Sequence, residues 1–267
     1  MTTASGEDLA RLAREVGLEA AALVAERRPS GRVEVSATKS SPTDVVTEID
    51  TASEALVRER LLGARPDDGF LGEEGDAVDG TSGVEWVVDP IDGTVNFVYG
   101  IPAYAVAIAA RVDGLVQAAF VVNVASGEQW GAVRGAGSWR WEGDERRPLR
   151  APEPSDVSQM LVGTGFHYTR ALRERQVAAM SRLLPEVRDI RRIGSAALDL
   201  CALAEGRLDA FVEQGLKPWD LAAGGLVAQE AGIVLEGLGT VPDERLVVAA
   251  AAGVSEEFFG LVRRCGF

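Results

Sequence analysis

The run Val84-Glu85-Trp86-Val87-Val88 stops at Asp89-Pro90-Ile91-Asp92, and Gly93-Thr94-Val95-Asn96-Phe97 follows directly. Its length and residue types predict a buried strand. Proline fixes φ near −65° and cannot donate to a central ladder, so the strand is expected to end at Asp89 and the chain to turn at Pro90. Both aspartates then project toward one region past the strand end, a place where α/β folds commonly keep their sites. Taken alone, the same four residues are equally ordinary turn chemistry, with Asp89 opening a turn and Asp92-Gly93 closing it.

The surroundings of that strand predict layers of helix and sheet. Leu9, Leu12, Val16, Leu23 and Val24 recur near helical spacing from about Glu7 to Arg27, with Ser5 and Asp8 as a cap. A polar loop, Lys39 to Asp44, runs into a second helix with Thr47 as N-cap and Asp50 in its first turn. From Ala103 to about Trp141, three or four β-like runs are separated by Val112-Asp113-Gly114, Ser126-Gly127 and Gly135-Ala136-Gly137, which predicts an antiparallel meander. The polar segment Trp141 to Pro154 divides the chain into halves, 1–150 and 151–267. Beyond it, helical patterns at about Arg170 to Leu184, Ser195 to Ala204, Leu221 to Ala231 and Ser255 to Val262 alternate with strand-like runs such as Leu208 to Glu213. The fold class is therefore α/β (α+β).

Composition narrows the function. With 41 acidic and 27 basic residues the net charge is −14, which repels phosphate backbones and makes nucleic acid an unlikely ligand. Apolar runs such as Leu246 to Val254 fall short of the roughly 18 to 20 residues of a bilayer span, and MTTASGEDLA lacks the parts of a signal peptide, so a soluble cytoplasmic protein is expected. Cys201 and Cys265 offer no CxxC spacing and suit a reducing compartment. The single histidine, His167, supports neither a His-rich zinc site nor Ser-His chemistry and reads as a polar loop residue.

Three further acids bear on the opening stretch. Glu73 follows Gly72 where an apolar run becomes loop, Asp220 follows Trp219 at a predicted helix start, and Asp50 lies at the start of the second helix. If these converge on Asp89 and Asp92, each pair of charges about 4 Å apart costs on the order of 4 kcal/mol at an effective dielectric near 20. Such a cluster takes up protons or binds cations, and an all-oxygen donor set points to Mg²⁺ or Mn²⁺. Gly93 allows close backbone approach, and the amides of Gly93, Thr94 and Val95 offer an anion-binding end if they open a helix. Carboxylates that hold metal beside exposed amides describe a phosphate site, and no GxxxxGK[ST] suggests a nucleoside triphosphate.

These residues carry a resemblance. WVVDPIDGTVNF, the stretch from Lys39 to Asp50, Phe70-Leu71-Gly72-Glu73-Glu74, Gly194-Ser195-Ala196-Ala197 and Trp219-Asp220-Leu221-Ala222-Ala223-Gly224 together resemble the inositol monophosphatase family, in its order and from about Glu7 to Leu261. The resemblance implies a layered αβαβα sandwich of the inositol monophosphatase and fructose-1,6-bisphosphatase type. It also implies a homodimer, two or three Mg²⁺ ions and lithium sensitivity. By position it assigns Glu73, Asp89 and the Ile91 carbonyl to a first metal, and Asp89, Asp92 and Asp220 to a second, with Glu73 also placing a third. Thr94, bonded to Asp50, would orient the attacking water with Glu73. Gly93 and Thr94 would hold the phosphate, and Asp92, Ala196 and Glu213 would meet the hydroxyls of the alcohol. The reaction so implied is hydrolysis of a small phosphate monoester, foremost myo-inositol 1-phosphate. Fructose 1,6-bisphosphate, histidinol phosphate and a nucleotide 3′-phosphate remain alternatives because the metals act on phosphate while variable loops read the alcohol. A regulatory protein on the same fold, partnering RNA polymerase or RNA-processing machinery, is the alternative of another class.

Some positions stand apart. Ile233 occupies a place where the family commonly has a second glycine, which touches packing. Lys217 reads as solvent-facing, and Arg188, Arg191 and Arg192 form a basic cluster suited to a second anionic group, a subunit interface or a solvated strand edge. Trp139-Arg140-Trp141 with Arg146, Arg147 and Arg150 imitates a nucleic-acid surface, but its alternation with Ser138 and Glu142 predicts a hairpin.

Overall fold

The computed structural model describes residues 4–38, 45–152, 154, 156–239 and 241–267. The polar loop Lys39 to Asp44 lies outside them. Helix α1 (Gly6–Arg27) starts where the Ser5 hydroxyl accepts the Asp8 N–H, and Leu9, Ala13, Val16, Ala20 and Val24 form its buried side. A short antiparallel pair, β1 (Ala37–Thr38) and β2 (Val45–Val46), leads into α2 (Glu48–Ala64). Thr47 and Asp50 close a capping box at the start of α2, each satisfying a backbone N–H of the other.

Next come β3 (Gly69–Gly72), β4 (Val84–Asp92), α3 (Thr94–Tyr99), β5 (Ala105–Val112), β6 (Leu115–Asn123), β7 (Gln129–Val133), β8 (Gly137–Glu142) and β9 (Glu145–Pro148). The strands make one seven-stranded sheet in chain order, parallel only between β3 and β4 and antiparallel from β4 onward. The expected meander gains a further strand, because β9 folds back on β8 inside the polar segment from Trp141 to Pro154. Gly143-Asp144, expected to mark a boundary, is the tip of that hairpin.

Pro90 does not end its strand, contrary to expectation. β4 continues to Asp92, with its register against β5 shifting between Asp89 and Asp92, while pairing with β3 stops at Gly72 opposite Val88. The proline therefore falls at an irregularity where neither neighbour needs its missing N–H.

The second half contributes β10 (Leu161–Thr164), α4 (Arg170–Leu183), β11 (Asp189–Arg191), α5 (Ala196–Ala204), β12 (Ala210–Glu213), α6 (Pro218–Glu230), β13 (Ile233–Glu236), β14 (Val247–Ala251) and α7 (Ser255–Cys265). Its strands form a five-stranded sheet of order β11-β10-β12-β14-β13, mixed in direction. Helices α1 and α2 cover one face of the large sheet, α5 and α6 lie between the sheets, and α4 and α7 pack together on the outer side of the small sheet. The result is the αβαβα layering.

Burial on both faces explains why β5 shows no polar alternation. Ala105, Ala107 and Ala109 join the core shared with α5 and α6, whereas Val106, Ile108 and Ala110 join the core shared with α1. Ile233, the departure noted above, is buried in the first residue of β13, where a branched side chain suits a strand. Among the described residues no helix is long and apolar enough to cross a membrane.

Candidate active site

The site forms where the ends of several elements meet at the junction of the two sheets. β4 delivers Asp89, Ile91 and Asp92, the start of α3 delivers Thr94, and the start of α6 delivers Asp220. Glu73 follows β3, Ala196 opens α5 and Glu213 ends β12. All of them line one cavity of about 500 Å³, and Asp50 stands behind Thr94.

Asp89, Asp92 and Asp220 each bring a carboxylate oxygen within 4.8 Å of the others. Burial pushes the Asp89 carboxyl well above its ordinary value, and the charges of Glu73, Asp92 and Asp220 push it further. Burial likewise raises Asp92 to about 6, although hydrogen bonds donated by the Ser195 hydroxyl at 2.6 Å and the Ala197 N–H at 2.7 Å oppose the rise. Asp220 is raised by burial and then by Asp92 and Glu73, against the N–H of Lys217 donating at 2.6 Å. Three desolvated acids that repel one another and carry only oxygen donors fit a hard divalent cation. Lys217 does not neutralise them, because its ammonium pairs with Glu244.

The local geometry around β4 holds the acids in place. The Ile91 N–H donates to Asp89 Oδ1 at 3.1 Å, which fixes the irregular turn of the strand. Gly93 adopts φ +92°, and a Cβ there would lie 2.9 Å from the Ala103 carbonyl oxygen and 3.0 Å from that of Gly194. Only glycine fits this approach. The Thr94 hydroxyl lies 3.1 Å from Asp50 Oδ1 and 3.0 Å from the Ile91 carbonyl oxygen, so its one proton is shared between two acceptors. Asp50 is raised by burial and steadied by the hydroxyl and N–H of Thr47 and by Thr94.

The far side of the cavity comes from the second half. Burial raises Glu213 to about 8, the charge of Asp199 adds to this, and Arg192 opposes it. Asp199, on α5, is raised to about 8 by burial and then by Asp92, and among the described residues its Oδ1 has no hydrogen-bond partner. His167 is a loop residue as expected, but its loop lines the cavity together with Phe166, Tyr168 and Trp219. Nothing near His167 in sequence signals this; it follows from where β10 ends. Asp199 lies in the first turn of the helix that Ser195 caps, and its sequence neighbours, all apolar, give no sign of its place near the site.

The basic cluster divides. Arg188 donates to the Gln159 carbonyl oxygen and Arg191 pairs with Asp189, while Arg192 lines the cavity. Trp139 and Trp141 are buried and stack with Arg146 and Arg14, so they are not free to stack on bases. Cys201 and Cys265 are buried free thiols.

With this geometry, the chain matches the family model described as "Inositol monophosphatase family" over residues 6–264. It is 46% identical over 272 residues to the inositol-1-monophosphatase of Mycobacterium bovis, covering 96% of this chain and 93% of that one. It is 38% identical over 239 residues to a Pasteurella multocida protein called Nus factor SuhB, covering 88% of each. The solved structure of Mycobacterium tuberculosis SuhB superimposes with a TM-score of 0.84 at 44% identity, covering 98% of both chains.

Proposed function

This chain belongs to the inositol monophosphatase family and is a phosphoric monoester hydrolase, and from that premise we propose Mg²⁺-dependent hydrolysis of a small polyol phosphate, foremost myo-inositol 1-phosphate. The observation that carries the reading is the meeting of Asp89, Asp92 and Asp220 beside Thr94 on one cavity wall. Glu73, Asp89 and the Ile91 carbonyl would hold one ion, Asp89, Asp92 and Asp220 a second, and Glu73 would help to place a third. Mn²⁺ would substitute. Bound there, the metal supplies a water of lowered pKa and neutralises charge on the phosphoryl oxygens and the leaving alkoxide.

The chain's own groups do the positioning. The Thr94 hydroxyl, held by Asp50 and the Ile91 carbonyl, orients the attacking water together with Glu73. Gly93 lets the backbone approach closely enough for its own N–H and that of Thr94 to meet phosphoryl oxygens. Asp92, Ala196 and Glu213 take the hydroxyls of the alcohol. Burial raises Glu213 to about 8, and it would meet one of those hydroxyls. Because Asp220 comes from residues 151–267 and Asp89 and Asp92 from 1–150, the two halves act as one catalytic unit. We propose a cytoplasmic homodimer inhibited by lithium; the buried free thiols support a reducing setting.

The test is a panel of myo-inositol 1-phosphate, fructose 1,6-bisphosphate, histidinol phosphate and a nucleoside 3′-phosphate assayed side by side with Mg²⁺. The highest kcat/KM is expected on the inositol ester, and no turnover of any member would refute the reading. A second reading, a protein-binding role on the same fold, is favoured by the similarity to the relative called Nus factor SuhB. Capture of RNA polymerase or RNA-processing proteins by a chain inactive on the whole panel would establish it instead.

A further inference from the structure

One face of α2 touches three separate segments of the site. Asp50 meets Thr94 in its first turn, Ser53 donates to the Pro90 carbonyl oxygen at 3.2 Å, and Glu54 accepts the Glu74 N–H at 2.7 Å. Positions 50, 53 and 54 lie three and four apart, the spacing that stacks side chains on one side of a helix. All three are buried. A rigid helix with about 1.5 Å rise per residue thereby fixes the separation of Thr94, the Asp89–Asp92 bend and the loop that carries Glu73.

Glu54 is the least expected of the three. A carboxylate that is 3% exposed is costly unless it is paired and hydrogen-bonded. Its partners are the Glu74 N–H and Arg58, whose guanidinium lies 3.3 Å away. Arg58 also donates to the Asp76 carbonyl oxygen at 2.7 Å and lies 4.5 Å over the Phe70 ring of β3. The loop is shaped to admit this pair, since a Cβ at Gly72 would collide with the Glu54 carboxylate. Glu73 is thus bracketed by Gly72, which abuts Glu54, and Glu74, which bonds to it.

We propose that Glu54, braced by Arg58, is a positioning residue that sets the place of Glu73 at the metal site; this rests on the reading of Glu73 as a metal ligand. Glu54 does not line the cavity and acts through the Glu74 amide. Outer groups that orient ligands typically govern metal affinity by about ten- to a hundredfold.

Mn²⁺ binding to the substrate-free protein, measured by calorimetry, is compared for wild type, Glu54→Ala, Glu54→Gln and Glu73→Gln, alongside amide exchange of the 72–76 segment. Glu54→Ala is expected to weaken Mn²⁺ binding by about ten- to a hundredfold and to speed exchange of the Glu74 amide. Glu54→Gln keeps an oxygen for that amide and is expected to recover most of the affinity, which a loss of general stability would not allow. Wild-type Mn²⁺ affinity in Glu54→Ala overturns the proposal while leaving the role of Glu73 intact if Glu73→Gln binds weakly. Wild-type affinity in Glu73→Gln overturns the reading of Glu73 itself. If Glu54→Ala does not fold, Arg58→Ala replaces it, with unaltered affinity and exchange again overturning the proposal.

Discussion

The two walls of the cavity are built on different plans. On one wall, Asp89, Asp92 and Thr94 come from one continuous stretch, where Ser195 and Ala197 donate to Asp92, Ile91 donates to Asp89 and Thr94 donates to Asp50. The wall of His167, Arg192 and Glu213 comes from the ends of three strands of the small sheet, Glu213 closing β12 and His167 and Arg192 following β10 and β11. Burial governs Glu213 and the nearby Asp199, with the charge of Asp199 adding at Glu213 and that of Asp92 adding at Asp199, and among the described residues no hydrogen bond holds Asp199 Oδ1. On the proposed reading, Asp89 and Thr94 would act at the phosphate and need fixed geometry, whereas Glu213 would meet the alcohol, where loops can vary without disturbing the chemistry.

The comparison yields graded expectations. Asp92→Asn removes a charge from the first wall and is expected to lower kcat about a hundredfold or more while the circular dichroism spectrum is unchanged; undiminished Mg²⁺-dependent turnover would break the assignment. Glu213→Ala acts on the second wall, where loss of one substrate hydrogen bond of about 1.4 kcal/mol raises KM for inositol 1-phosphate roughly tenfold with kcat nearly kept. A kcat loss as large as that of Asp92→Asn would erase the distinction between the walls.

The smallest effect concerns stability. Asp199 is held protonated in the fold up to about pH 8, whereas the unfolded chain releases that proton near its ordinary value of 3.8. Between those values the folded state binds the extra proton, so stability falls as pH rises through this window and the loss is complete above it. Asp199→Asn removes that slope. In chelator-treated protein, the melting temperature of the variant is expected to drop less between pH 5 and pH 8 than that of the wild type. Parallel pH profiles would show that Asp199 is ionised in the fold.

Much of the architecture was legible because it is local. Ser5 and Thr47 as caps, the meander from β5 to β8 and helices α4 to α7 follow from cap chemistry, glycine turns and apolar period, which depend on neighbours a few residues away. The continuation of β4 through Pro90 is not legible for the same reason. A proline's cost depends on whether a neighbouring strand needs its N–H, and only the pairing of β3 and β5 supplies that fact. Glu54 carries no signal in the sequence because a lone glutamate on a helix usually faces solvent, and its burial against Gly72 depends on the end of β3 and the loop after it.

By itself, the sequence determined the chemistry available at Asp89-Pro90-Ile91-Asp92-Gly93-Thr94, since adjacent residues of fixed type carry it wherever the strand ends. Only the tertiary structure decided that Asp220 completes the acidic group, that Arg192 parts from Arg188 and Arg191, and that His167 reaches the cavity. Local chain stiffness persists over a few residues, whereas these meetings depend on how two sheets and the helices between them pack.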